Sequence, residues 1–178
     1  MVAIKYVVSA SELAKLAFCE KMFFIERYYK AVDFRAALRL MRGRILHSLW
    51  RAIKKGLKEK LLATVIDDVL LIGKPDCFHF SESGVIVEEF KSRRLKKVYL
   101  SEAIQLIAYM KLIKDNYNQS VKGYINYLNA KVEVRYSEAA LVHFIERYKQ
   151  IVERKDTPRS KCKLKQCRYS ALCASLFN

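Results

Sequence analysis

Gly84-Val-Ile-Val-Glu-Glu-Phe-Lys91 is the stretch on which the reading of this chain turns. Its branched and aromatic residues predict a strand over 85–91. Side chains alternate along a strand, so Val85, Val87, Glu89 and Lys91 share one face while Glu88 and Phe90 point the other way. An acid and a base two positions apart then project into one space, about 7 Å apart along the strand. Upstream, residues 76–80 read as a second strand with Asp76, Phe78 and Phe80 on one face, and Ser81-Glu-Ser-Gly84 reads as the turn between the two. Pairing of the strands would bring Asp76 close to Glu89. Two carboxylates at one sheet edge make a hard-oxygen site of the kind Mg²⁺ or Mn²⁺ prefers. Lys91 beside them would offer a positive charge to a phosphate or orient an attacking water. That equipment suits phosphodiester hydrolysis. An isolated Glu-x-Lys, however, is also an ordinary feature of surface strands.

Further upstream, residues 61–72 are rich in Val, Ile and Leu and predict one strand, broken by Gly73-Lys-Pro. Residues 34–59 predict a helix with the stripe Leu46, Leu49, Trp50, Ile53 and Leu57; His47 on it could complete a divalent-metal site, or be a half-buried histidine beside Trp50. Ser9-Ala-Ser-Glu12 has capping-box spacing and predicts a first helix running to about Arg27. Downstream, Ser101 is placed to cap a helix over 102–114. Gln105 and Tyr109, four apart, share a face of it and could hydrogen-bond a phosphate or Lys91, or be ordinary helix surface. Residues 121–128 and 132–136 predict a hairpin around Asn129-Ala-Lys131, and Ser137 caps a helix to about Arg154. Pro158 opens a basic, Cys-bearing tail. The order is helix, helix, three strands, helix, two strands, helix, tail, which is a mixed α/β domain; periodicity does not choose a fold family.

With 178 residues the chain is long enough for one domain with a hydrophobic core. No apolar run approaches the roughly 18 residues of a membrane span, and the first residues carry too little apolar sequence for a secretory signal. A soluble, cytoplasmic protein is expected. Lys plus Arg number 34 against 18 Asp plus Glu, a net charge of +16. A field of that sign attracts polyanions, nucleic acid foremost, although a Lys-rich surface also serves solubility and heat stability. No Gly-x4-Gly-Lys-Ser/Thr loop occurs, so the chain has no P-loop ATPase of its own.

Five Cys in a chain expected inside the cell point toward metal or cluster ligation. Cys19 lies in the first helix, and Cys162, Cys167 and Cys173 lie in the tail among Lys and Arg residues that would offset thiolate charge. From spacing alone, zinc, an iron–sulfur cluster and paired disulfides compete. Cys77 reads as a buried core thiol.

Gly43-x-x-x-His47, Gly73-x-x-Asp76, Glu89-x-Lys91 and Gln105-x-x-x-Tyr109 resemble the successive motifs of RecB-like nucleases, in the family's order and spacing. That group belongs to the PD-(D/E)XK superfamily, with a restriction-endonuclease-like core. One Cys before the motifs and three after them is similar to the arrangement in the CRISPR-associated RecB-like exonucleases that hold a 4Fe–4S cluster. The resemblance covers nearly the whole chain. It implies that His47, Asp76, Glu89 and the carbonyl of Phe90 bind Mg²⁺ or Mn²⁺. It also implies that Lys91 is catalytic, supported by Gln105 and Tyr109, and that Cys19, Cys162, Cys167 and Cys173 hold the cluster. The family's tail reads Cys-x-x-Cys-x5-Cys. Here Cys167-x5-Cys173 fits, while Cys162-Lys-Leu-Lys-Gln-Cys167 is longer than the pattern, which leaves 2Fe–2S as the alternative to 4Fe–4S.

The expectation is a single RecB-like nuclease domain. Its parts are an N-terminal helical section over 1–33, a nuclease core over 34–157 and a cluster-binding tail over 158–178. The implied activity is metal-dependent DNA exonuclease action on single strands or DNA ends. The implied role is trimming DNA for CRISPR spacer acquisition, with the integrase and its companion subunit as partners. The same nuclease in repair or a mobile element is one alternative, and a noncatalytic DNA-binding adaptor is another. Met22-Phe-Phe-Ile-Glu-Arg-Tyr-Tyr-Lys30 could offer rings for base stacking, but Phe23, Phe24 and Tyr28 read first as core.

Overall fold

A computed structural model describes residues 3–29, 46, 48–50, 52, 60–154, 158, 167 and 169–177. The architecture is mixed α/β, with two mixed sheets flanked by helices. The first sheet has strand order β1-β3-β2, built from β1 (Tyr6–Ser9), β2 (Leu62–Ile66) and β3 (Val69–Gly73). The second has order β4-β5-β6-β7, built from β4 (Cys77–Ser81), β5 (Gly84–Lys91), β6 (Val121–Tyr127) and β7 (Lys131–Val134). The helices are α1 (Ala10–Phe18), α2 (Glu20–Tyr29), α3 (Leu100–Tyr117), α4 (Glu138–Val152) and α5 (Ser170–Phe177).

Helix α3 is the centre of the molecule. It is buried at Ile104, Leu106, Ile107, Ala108, Met110 and Leu112, most of its circumference, because it packs against α1, α4 and both sheets. Val85 and Val87 of β5, Ile125 of β6, and Val69 and Leu71 of β3 join it in one core. On the opposite face of β5, the carboxylate of buried Glu88 accepts a hydrogen bond from Lys131 Nζ at 2.8 Å.

Several boundaries differ from the sequence reading. Residues 61–72 are two strands, not one, because Asp67 adopts φ 52° and closes a two-residue hairpin with Ile66 opposite Val69. The first helix is two, because Cys19 is extended (φ −163°, ψ 112°) between α1 and α2. Tyr6–Ser9, not anticipated as a strand, lies parallel to β3. Helix α3 begins after Tyr99 and not after Ser101, with the Glu102 carboxylate accepting the Tyr99 N–H at 3.1 Å. The tail contains a helix, α5, that the sequence reading leaves out. The capping at Ser9 and at Ser137 is as expected, and β6 and β7 form the expected hairpin. Of the helix expected over 34–59, only Leu46, Ser48, Leu49, Trp50 and Ala52 are described, and all five are helical.

Among the described residues no helix is long and apolar enough to cross a membrane.

Candidate active site

Strand β5 and helix α3 build the site between them. β5 runs antiparallel to β4 on one side and parallel to β6 on the other, so its backbone is held from both edges. The ladder with β4 stops at Cys77 opposite Glu88. Asp76 therefore lies in the bend before β4, not within the strand as expected, because the preceding Pro75 has no N–H to extend a ladder. Its side chain takes over: Asp76 Oδ2 accepts the backbone N–H of Phe90 at 2.8 Å. This fixes Asp76 against β5 beside Glu89.

Glu89 is 3% exposed. Its Oε1 accepts a hydrogen bond from Lys91 Nζ at 2.8 Å, while its Oε2 is buried with no hydrogen-bond partner. Burial pushes its pKa up to about 7; Lys91 opposes the shift and the neighbouring Asp76 carboxylate adds to it. Burial by itself would lower the Lys91 pKa, but the charge and hydrogen bond of Glu89 outweigh burial and hold it above the usual value.

The row continues onto α3. Lys91 Nζ also donates to Gln105 Oε1 at 2.9 Å, and Gln105 Nε2 donates to Tyr109 Oη at 3.1 Å. One helical turn separates Gln105 from Tyr109, so both face β5. Burial, followed by the charge of Glu89, raises the Tyr109 pKa and keeps the phenol protonated. Gly73 makes room for that ring: a Cβ there would lie 2.8 Å from Leu112 Cδ1 and 2.9 Å from Tyr109 Cε1. The structure thus brings together Asp76, Glu89, Lys91, Gln105 and Tyr109. Phe90 joins through its backbone, while its ring stacks on Trp50 with centroids 5.2 Å apart and planes at 17°. His47 lies outside the described residues.

The donor set suits a hard divalent cation. Two carboxylates meet at one corner, Glu89 buried and Asp76 half-buried, close enough for each charge to act on the other. Among the described residues no group of three or more His, Cys, Asp or Glu side chains is arranged to hold a metal. Asp76 and Glu89 would supply two ligands.

A salt-bridged frame missed by the sequence reading adjoins this row. Arg93 donates to both carboxylate oxygens of Glu102, at 3.2 and 2.7 Å, and Tyr127 Oη donates to Glu102 Oε2 at 2.8 Å. The guanidinium lies over the rings of Tyr99 and Tyr127, 4.7 Å from each centroid. In the sequence Glu102 reads only as the start of a helix, and no local signal marks it as a buried partner of Arg93.

The cysteines form a second locality. Cys19, Cys167 and Cys173 line one small cavity with Met22, Ile25 and Tyr169. The extended Cys19 places its side chain at the start of α2, and Tyr169 Oη donates to Glu26 of α2 at 3.2 Å. Phe24 of α2 and Phe177 of α5 meet edge-on at 5.6 Å, which seats the last helix on the second. Cys162 lies outside the described residues. Cys77 is fully buried in β4, remote in sequence from these three.

No protein-family model matches the chain, and no curated protein does. Among solved structures, the crystal structure of SSO0001 is similar with a TM-score of 0.69 and 21% identity, over 98% of this chain and 89% of that one. This is a likeness of fold. A candidate exonuclease from Eubacterium rectale aligns with a TM-score of 0.44 and 10% identity, over 95% of this chain and 81% of that one.

Proposed function

We propose that this chain is a Mg²⁺- or Mn²⁺-dependent deoxyribonuclease of the RecB-like type with a restriction-endonuclease-like core, cutting single strands or DNA ends. The observation that carries the reading is the hydrogen-bonded row from Glu89 through Lys91 and Gln105 to Tyr109, with Asp76 pinned beside Glu89. A binding module has no need of a buried glutamate held against a lysine with a second carboxylate beside it, since burying that charge is costly.

Asp76 and Glu89 would hold the metal, with the Phe90 carbonyl and His47 as the further ligands that the resemblance implies. The chemistry such an ion supplies is activation of a water and neutralisation of phosphate charge. Lys91, protonated, offers its remaining N–H to a phosphate oxygen or to the attacking water and stabilises charge that develops there. Gln105 fixes the position of Lys91, and Tyr109 fixes Gln105.

Cys19, Cys167 and Cys173, with Cys162, would hold an iron–sulfur cluster, 4Fe–4S ahead of 2Fe–2S; support comes from the shared cavity of the first three. The cluster would tie the two chain ends together. The role we infer is trimming DNA for CRISPR spacer acquisition beside the integrase and its companion subunit. Repair or a mobile element would use the same chemistry.

The test is Mn²⁺-dependent cleavage of labelled single-stranded DNA by wild type and Lys91→Ala. Cutting that disappears in the variant supports the reading. A folded wild type that binds DNA without cutting would favour a noncatalytic adaptor instead.

A further inference from the structure

Strand β5 ends at Lys91 and α3 begins at Leu100, and the eight residues between them, 92–99, include Arg93, Arg94, Lys96 and Lys97 and no acid. Arg93 is consumed internally. Besides gripping Glu102, it donates to the carbonyls of Arg94 at 3.2 Å and Lys97 at 2.9 Å, so it props the loop open from within. Two further bonds tie the loop to the β6–β7 turn: Leu95 N–H to Asn129 Oδ1 at 2.6 Å, and Leu128 N–H to the Arg93 carbonyl at 3.1 Å. The result is a braced loop whose Arg94, Lys96 and Lys97 side chains are exposed. Among the described residues none of these three has an acidic partner, whereas Lys5, Lys15, Lys131 and Lys149 are each ion-paired. The Arg93 N–H bonds the Lys91 carbonyl at 2.8 Å, so the loop turns away directly from the catalytic lysine. Three residues of chain reach at most about 10 Å and six at most about 20 Å, which keeps all three cations within a few nucleotides of a phosphate held at Lys91.

We propose that residues 92–99 form a rail for one nucleic-acid strand, with Arg94, Lys96 and Lys97 contacting the phosphates that flank the one at Lys91. The proposal rests on the nuclease reading for what lies at Lys91, and its binding test is independent of catalysis. Pre-bracing by Arg93 lowers the ordering cost of such contacts. Phosphate contacts of this kind carry affinity and register and no base sequence.

The experiment measures binding of a labelled single-stranded oligonucleotide by fluorescence anisotropy in EDTA across a salt series, and cleavage with Mn²⁺ separately. The test variant is Arg94→Ala with Lys96→Ala and Lys97→Ala. The comparison variant removes three lysines at the far end of the fold, Lys60→Ala with Lys114→Ala and Lys122→Ala. The loop variant is expected to bind about tenfold or more weakly, with its log–log salt slope reduced by about 2. A charge-keeping variant, Arg94→Lys with Lys96→Arg and Lys97→Arg, should bind as wild type, which separates lost charge from lost folding. Equal losses in the loop and comparison variants would overturn the rail, leaving only a diffuse positive field. Loop-dependent binding by a protein that does not cut would support the rail and count against the nuclease reading. Normal cleavage with unchanged binding by the loop variant would sink the rail and leave the nuclease.

Discussion

The amide oxygen of Gln105 lies 2.9 Å from the ammonium of Lys91, joining the second turn of the molecule's central helix to the end of its central strand. The same ammonium is 2.8 Å from Glu89. Lys91 is therefore held at two points, its charge matched to a carboxylate and its direction set by a neutral amide. Removing the amide should leave the charge in place and release the direction. We expect Gln105→Ala to cut DNA about tenfold more slowly with unchanged DNA affinity, and Tyr109→Phe to show a smaller loss of the same kind. Single-turnover rates alongside anisotropy would separate the two quantities. An affinity loss with a normal rate would place Gln105 on substrate instead of on Lys91.

Asp76→Ala and Glu89→Ala should each lower Mn²⁺-dependent cleavage by about a hundredfold or more while leaving the far-ultraviolet circular dichroism and DNA binding in EDTA as in wild type. Normal cutting by Glu89→Ala would refute the assignment of this corner as the metal site.

Glu89 gives the metal-free protein a predictable pH dependence. Its folded pKa, about 7, lies above that of an unfolded glutamate, so between those values the native state holds a proton that the unfolded state has lost. That contribution to stability is present at low pH and is lost as pH rises toward 7. In Glu89→Gln the loss should vanish, so the difference in thermal midpoint between variant and wild type should grow from pH 5 to pH 7.5. A pH-independent difference would contradict the burial argument. Divalent-metal binding near pH 6 should release protons, measurable by calorimetry in two buffers of different ionisation enthalpy.

Lys91→Ala removes the only cation bonded to Glu89 among the described residues. A buried charge left without its partner costs about 3 kcal/mol, less where the group can take up a proton. The destabilisation should therefore be larger at pH 8 than at pH 5, in denaturant melts run at both.

Gly73→Ala tests the packing behind the site. The new methyl would press on Leu112 and on the Tyr109 ring. A loss of about 1–3 kcal/mol is expected, with a slower cleavage rate if Tyr109 shifts. Cys173→Ala addresses the other locality: it should lose colour and stability in protein purified without oxygen, while Cys77→Ala should keep its colour. A colourless wild type carrying zinc would replace the cluster with a structural metal.

What could be read from the chain alone is what depends on local spacing. The alternation in residues 85–91 put Glu89 and Lys91 on one face, the caps at Ser9 and Ser137 marked two helix starts, and Gln105 and Tyr109 fell one turn apart. These follow from fixed periods of the backbone and need no partner. The rest required the chain to fold back on itself. Only packing shows that Tyr6–Ser9 is a strand, since its pairing with β3 lies more than sixty positions away. Only the ladder's end at Cys77 shows that Asp76 works from a bend through its side chain. Only the approach of α3 to β5 turns Gln105 from a surface amide into the support of Lys91. Spacing determined which side chains could meet, and burial against one central helix decided which of them do, because a charged group taken out of water must find its partner wherever the fold provides one.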